Sequence, residues 1–120
     1  MKWPAAICVM GAVCLPASAS PSFKSGNELY ITCKSDNDFA KGICTGYIIG
    51  AVDVLIAPIY GLSKNRLMIV HKARICLRDG VTVGQATDVV IRWLDDNPAQ
   101  RDASASSLVE LALASNGFKC

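Results

Sequence analysis

Residues 42–62 read GICTGYIIGAVDVLIAPIYGL, a run whose only charged side chain is Asp53. Its length, about twenty residues, is that of a membrane-crossing helix, and Gly46 with Gly50 has the G-x-x-x-G spacing at which two helices pack closely. Two residues argue against a span. Asp53 lies near the middle, where a carboxylate costs about 2.5–3.5 kcal/mol on insertion scales, and Pro58 breaks or kinks the far end. Cys44 adds a third argument, because a cysteine inside the run needs a partner outside lipid. The run therefore reads as the buried central helix of a small bundle, with no stable membrane insertion, and as a candidate dimer face.

Upstream of this helix the chain carries an export pattern. Lys2 supplies a positive start, Trp3 to Leu15 an apolar stretch, and Ala17-Ser18-Ala19 a small-residue cleavage site. Residues 1–19 are expected to be a cleaved signal peptide, leaving residues 20–120 as one small domain. Cys8 and Cys14 leave with the signal, so four of the six cysteines remain. Ile7 and Val13 precede those two cysteines where a lipoprotein signal would place a small residue.

Loss of Lys2 lowers the formal net charge from +2 to about +1, so charge gives no reason to expect a nucleic-acid partner. Cys33, Cys44, Cys76 and Cys120 in an exported chain predict two disulfides. Zinc competes poorly, since there is no C-x-x-C pair and only one histidine, His71. Neither a metal nor a cofactor is expected.

Helix signals dominate the mature sequence. Ser25-Gly26-Asn27-Glu28 is a capping box that opens a helix over 26–34. Ser35-Asp36-Asn37-Asp38 ends that helix and offers caps for the next, whose inward face is predicted as Phe39, Ile43, Tyr47, Gly50 and Val54. A second capping box, Thr82 to Gln85, opens a helix with Ala86, Val89, Val90, Trp93 and Leu94 inward, and Asn97-Pro98 stops it. A last helix groups Ala105, Leu108, Val109 and Ala112, closed by Gly117 and Phe118. Between them, Leu67 to Val70 is too short and apolar to separate strand from helical turn; residues 62–78 are read as a loop plus a short helix. The fold class expected is all-α, a disulfide-stapled bundle of about four main helices.

The helices order the cysteines. The last two are of similar length and meet at a short break, so they should form an antiparallel hairpin whose open ends bring Cys76 to Cys120. Cys33 and Cys44 flank the turn between the first two helices, which predicts the pairs Cys33–Cys44 and Cys76–Cys120.

Catalytic groups are scarce. A single imidazole, His71, has no G-x-S-x-G, H-E-x-x-H or glycine-rich phosphate loop beside it, and four paired cysteines leave no thiolate nucleophile. Asp53 is the one carboxylate in an apolar helix, and it is expected to bond neighbouring helices or pair with Arg74 or Arg92. No enzyme is expected. Lys64, Arg66, Lys72, Arg74 and Arg78 accumulate with no acid before Asp79, a solvated face or a contact strip for an acidic partner.

Ser25-Gly26-Asn27-Glu28-Leu29-Tyr30 with Cys33, Cys44-Thr45-Gly46-Tyr47-Ile48-Ile49-Gly50 with Asp53, then Cys76, Gly80-Val81-Thr82, Gln85, the helix from Val89 to Leu94, Pro98, Arg101, Leu108-Val109 and the terminal Phe118-Lys119-Cys120 together resemble the Rap and Tai amidase-immunity proteins of type VI secretion. Lys119 departs from the proline that such proteins tend to show there. The resemblance implies a periplasmic, all-helical, often homodimeric protein that binds and blocks a secreted peptidoglycan amidase effector and so protects the cell wall from sister-cell intoxication. It assigns no contact residues. For an inhibitor, loops are the expected contact surface: Lys64, Asn65 and Arg66 in one, and Asp95, Asp96 and Arg101 around the last helix turn. A periplasmic acid-stress chaperone and an envelope-complex adaptor are the alternative readings.

Overall fold

The computed structural model describes residues 23–120. The expected signal peptide, residues 1–19, lies outside the described residues. Helix α1 spans Gly26–Lys34 and α2 spans Asp38–Ile56; strands β1 (Ile59–Ser63) and β2 (Arg66–His71) follow, then α3 (Val83–Asp96), a 3₁₀ turn at Pro98–Gln100 and α4 (Ala105–Leu113).

Both capping boxes form. The Ser25 hydroxyl accepts from the Glu28 amide while Glu28 accepts from the Ser25 amide, and Thr82 and Gln85 repeat the exchange. Asn37 caps α2, its side-chain oxygen accepting from the amides of Phe39 and Ala40. These caps satisfy donors that a helix start leaves unpaired, so each helix begins where its polar residue sits.

The core lies where α1, α2, α3 and α4 meet, around the fully buried Leu29, Val90, Leu94, Ala105, Val109 and Leu113. Gly26 sets the closeness of α1 to the turn before α4. Its amide donates to Ala103 O at 2.8 Å, the Asn27 amide donates to Arg101 O at 2.6 Å, and a Cβ at Gly26 would sit 2.8 Å from Arg101 O and meet the Leu108 side chain. Disulfides join Cys33 to Cys44 and Cys76 to Cys120. The second brings the chain end beside the segment before α3, where Ile75 and Lys119 bridge in antiparallel fashion.

The all-α expectation is overturned. Residues 59–63 and 66–71 form a two-stranded antiparallel sheet, so the fold is mixed, and the expected loop with a short helix over 62–78 is absent. Pro58 prevents α2 from continuing, as its sterics push Ala57 to extended geometry (φ −95°, ψ 145°). Lys64 and Asn65 then take positive φ, 48° and 60°, which is the two-residue turn whose twist suits a hairpin. Tyr60, Ile69 and Val70 supply the aromatic and β-branched side chains that favour strands.

The predicted inward face of α2 is also overturned except at Tyr47, which is half-buried against the core. Cys44, Ile48, Val52 and Leu55 are buried, whereas Phe39 is 78% exposed and Ile43 and Val54 face outward. The bond to Cys33 turns Cys44 toward α1, and residues one and two turns along must follow it inward.

Replacing Cys76 and Cys120 by alanine should cost about 4 kcal/mol by loop-closure entropy, and replacing Cys33 and Cys44 about 3 kcal/mol, because the first pair closes the longer loop. Urea titration of both double variants measures this order. Gly26→Ala should lower stability by about 1–3 kcal/mol in the same titration, since backbone atoms receive the new methyl.

Candidate functional site

The hairpin stands apart from the helical core. Two hydrogen bonds close its base: the amides of Arg74 and Ile75 both donate to Leu55 O, at 2.9 and 3.1 Å. Beyond that clamp every residue from Leu62 to Lys72 is exposed. Tyr60 pairs with Ile69 and Leu62 with Leu67. Opposed residues of an antiparallel ladder project to one side, as do residues two apart, so these four side chains share a face. Leu62 is 78% and Leu67 72% exposed. Met68 and Val70 are also uncovered. A two-stranded hairpin is marginal alone, and an open apolar sheet of this kind is a surface that proteins ordinarily cover.

Lys64, Asn65 and Arg66 form the exposed tip of this hairpin. The basic strip predicted around them is divided. Arg74 pairs with Glu110 at 3.4 Å, in place of the expected Asp53, and the Arg78 guanidinium lies 5.0 Å from the centre of the Phe118 ring. Lys64, Arg66 and Lys72 have no ion-pair partner among the described residues.

The second predicted set has an internal task. The Tyr30 hydroxyl donates to Asp95 at 2.6 Å, Lys34 reaches the same carboxylate at 3.4 Å, and the Arg101 guanidinium stacks 3.8 Å from the Tyr30 ring centre while its Nε donates to Leu94 O at 2.8 Å. Asp95 and Arg101 thus tie α1 to the end of α3 and the turn beyond it. Asp96 is exposed beside them. The Tyr30 hydroxyl holds the Asp95 carboxyl below the usual carboxylate range, with Lys34 assisting, and the same hydrogen bond raises the Tyr30 phenol.

A second uncovered surface runs along α2. Phe39, Ile43, Ile49, Val54 and Ile56 are exposed, and a Cβ at Gly42, Gly46 or Gly50 would meet no atom within 4 Å. These glycines allow no close helix approach within the chain; they leave a trench on its surface. At the far end of α2, Asp53 is exposed on the rim of a mostly apolar cleft of about 110 Å³ lined by Ile48, Val52, Leu77 and Ala86.

The apolar hairpin face was not among the residues picked from sequence, and Phe39, Ile43 and Val54 on the outer face of α2 were expected inside, although the run was also read as a candidate dimer face. One signal for the first was present: two short runs rich in β-branched or aromatic residues, Ile59-Tyr60 and Ile69-Val70, separated by a segment containing Asn65.

The Tyr30–Asp95 contact carries a pH signature. A depressed Asp95 contributes stability above its unfolded pKa, lost as pH falls through the folded value; a raised Tyr30 contributes stability below its unfolded pKa, lost as pH rises through the folded value. The melting-temperature difference between the native chain and Tyr30→Phe should therefore be largest over about pH 5–9 and shrink on both sides. Thermal melts across pH check this.

No curated protein matches the chain. The family of Rap1a immunity proteins matches residues 25–120, a region running from the first capping serine through both disulfides to the terminal cysteine. By that match over most of its length, the chain belongs to the Rap1a immunity protein family.

Proposed function

We propose that this protein is exported to the periplasm and there binds and inhibits a secreted peptidoglycan amidase delivered by type VI secretion, protecting the cell wall from sister cells. Membership of an immunity protein family gives the class. The observation that carries the binding role is the hairpin, an uncovered apolar face with a cationic tip held on a disulfide-braced scaffold. Bracing lowers the ordering cost of association. Nothing in this role requires the chain to turn over a substrate; occupying or covering the amidase cleft suffices.

The protein is proposed to act as a homodimer through the outer face of α2. The glycine trench of one copy accepts the flanking side chains of the other. Asp53 is the one carboxylate among residues 39–56, and it is exposed. Antiparallel helices crossing near Gly46 separate the two Asp53 residues by about 20 Å, whereas parallel helices set them side by side. The antiparallel arrangement is therefore favoured.

The uncovered apolar surface also supports one other reading, a periplasmic acid-stress chaperone that holds unfolded clients. The two readings differ in partner selectivity.

Coexpression with a periplasm-directed type VI peptidoglycan amidase tests the assignment. The full chain should prevent lysis and a chain lacking residues 1–19 should not. Failure to rescue against any such amidase, combined with suppression of aggregation of unrelated unfolded proteins at low pH, favours the chaperone. Gly46→Leu should convert the dimer to monomer in sedimentation analysis; an unchanged sedimentation coefficient removes the α2 interface.

A further inference from the structure

In the hairpin the tight turn makes Ser63 and Arg66 the closing hydrogen-bonded pair, and antiparallel pairs alternate from there. Leu62–Leu67 and Tyr60–Ile69 are then the non-bonded pairs, whose backbone groups point away from the ladder. On β2 this leaves the N–H and C=O of Leu67 and of Ile69 along an outer edge with no strand beside it. Cations bracket that edge: Arg66 begins β2 and Lys72 follows its last residue. Arg66 and Lys72 have no ion-pair partner among the described residues.

We propose that the outer edge of β2 receives an extended segment of the effector as a third strand, and that this segment carries carboxylates near its ends with apolar residues between them. The proposal rests on the immunity reading and names the chemistry of its contact. Main-chain hydrogen bonds to Leu67 and Ile69 supply register-independent affinity, and carboxylates facing Arg66 and Lys72 select the occupant.

Charge excludes the obvious alternative. If β2 paired antiparallel with β2 of a second copy, the registers that align the outward residues Leu67 with Ile69, or Ile69 with Ile69, would bring Lys72 of one copy opposite Lys64 or Arg66 of the other, placing like charges across a ladder. An anionic lipid surface satisfies the cations and the apolar face but offers the outward amides and carbonyls no partner, and open strand edges are not tolerated in hydrocarbon. An acidic strand satisfies all three sets of groups.

The test separates backbone from side chain. Leu67→Pro removes an outward N–H that the ladder does not use, whereas Leu67→Ala removes the same side chain and keeps the donor. With the full-length protein and the amidase that it neutralises, Leu67→Pro should weaken binding roughly five- to tenfold more than Leu67→Ala, as one lost hydrogen bond implies. Leu62→Pro, on the β1 edge, should match Leu62→Ala. Equal losses for the two Leu67 variants, or a proline penalty at Leu62 alone, overturn the proposal. Because Leu67→Pro can unfold the hairpin, hydrogen exchange on the native chain supplies a second arm that needs no amidase. A synthetic decapeptide of alternating valine and glutamate should slow exchange at the Leu67 and Ile69 amides and leave Leu62 unaffected; a valine–lysine decapeptide should do nothing. Protection by both peptides or by neither overturns the strand-addition proposal whether or not an amidase is bound. So does protection that appears with protein concentration alone, or with phosphatidylglycerol vesicles in place of peptide.

Discussion

The carbonyl of Leu55 accepts hydrogen bonds from two successive amides, Arg74 and Ile75, and much of the molecule's geometry depends on that clamp. It joins the end of α2 to the segment leaving β2, so the chain between them closes on itself as a hairpin. Ile75 is buried at the same point, and Cys76 next to it is bonded to Cys120. The Cys76 amide donates to Phe118 O and the Cys120 amide to Arg74 O, which fastens the chain end across the base. A hairpin too small to be stable alone is thereby held by contacts outside its strands.

This arrangement keeps the apolar face of the hairpin apart from the core. Leu29, Val90, Leu94 and Val109 bury the apolar surface that holds the helices together, while Tyr60, Leu62, Leu67 and Ile69 lie outside that core and are exposed. Substitutions on the exposed face of the hairpin open no cavity in the bundle. Helix α2 divides its roles around its circumference: one face carries Cys44, Ile48, Val52 and Leu55 into the core, and the other exposes a glycine trench flanked by isoleucines. Its long apolar sequence spans two different surfaces, only one of which the chain covers itself.

Local chemistry was legible where it is self-contained. A serine or threonine three residues before a glutamate or glutamine satisfies helix donors with neighbours in sequence, so Ser25–Glu28 and Thr82–Gln85 mark their helices without reference to the rest of the chain. The inward residues Ala105, Leu108, Val109 and Ala112 of α4 were readable for a similar reason, since a polar face opposes them. In α2 apolar residues occupy the whole circumference, so periodicity could not say which side was inside, and the expected face was the wrong one. The 59–71 segment failed differently: its strands pair only because a turn with two positive φ values closes between them, and short apolar runs carry no period that separates them from a helix. Asp95 and Arg101 looked like free surface charges because the ring of Tyr30, distant in sequence, is what occupies them.

By itself the sequence determined the helix starts, the stop at Pro58, the cysteine set and the small core, because each follows from interactions between near neighbours or from composition. Tertiary structure decided that residues 59–71 become a projecting hairpin and that α2 turns Cys44 inward and Phe39 outward. Both outcomes depend on contacts between residues far apart in the chain, the Leu55 clamp and the Cys33–Cys44 bond, and those contacts choose among local conformations of similar energy.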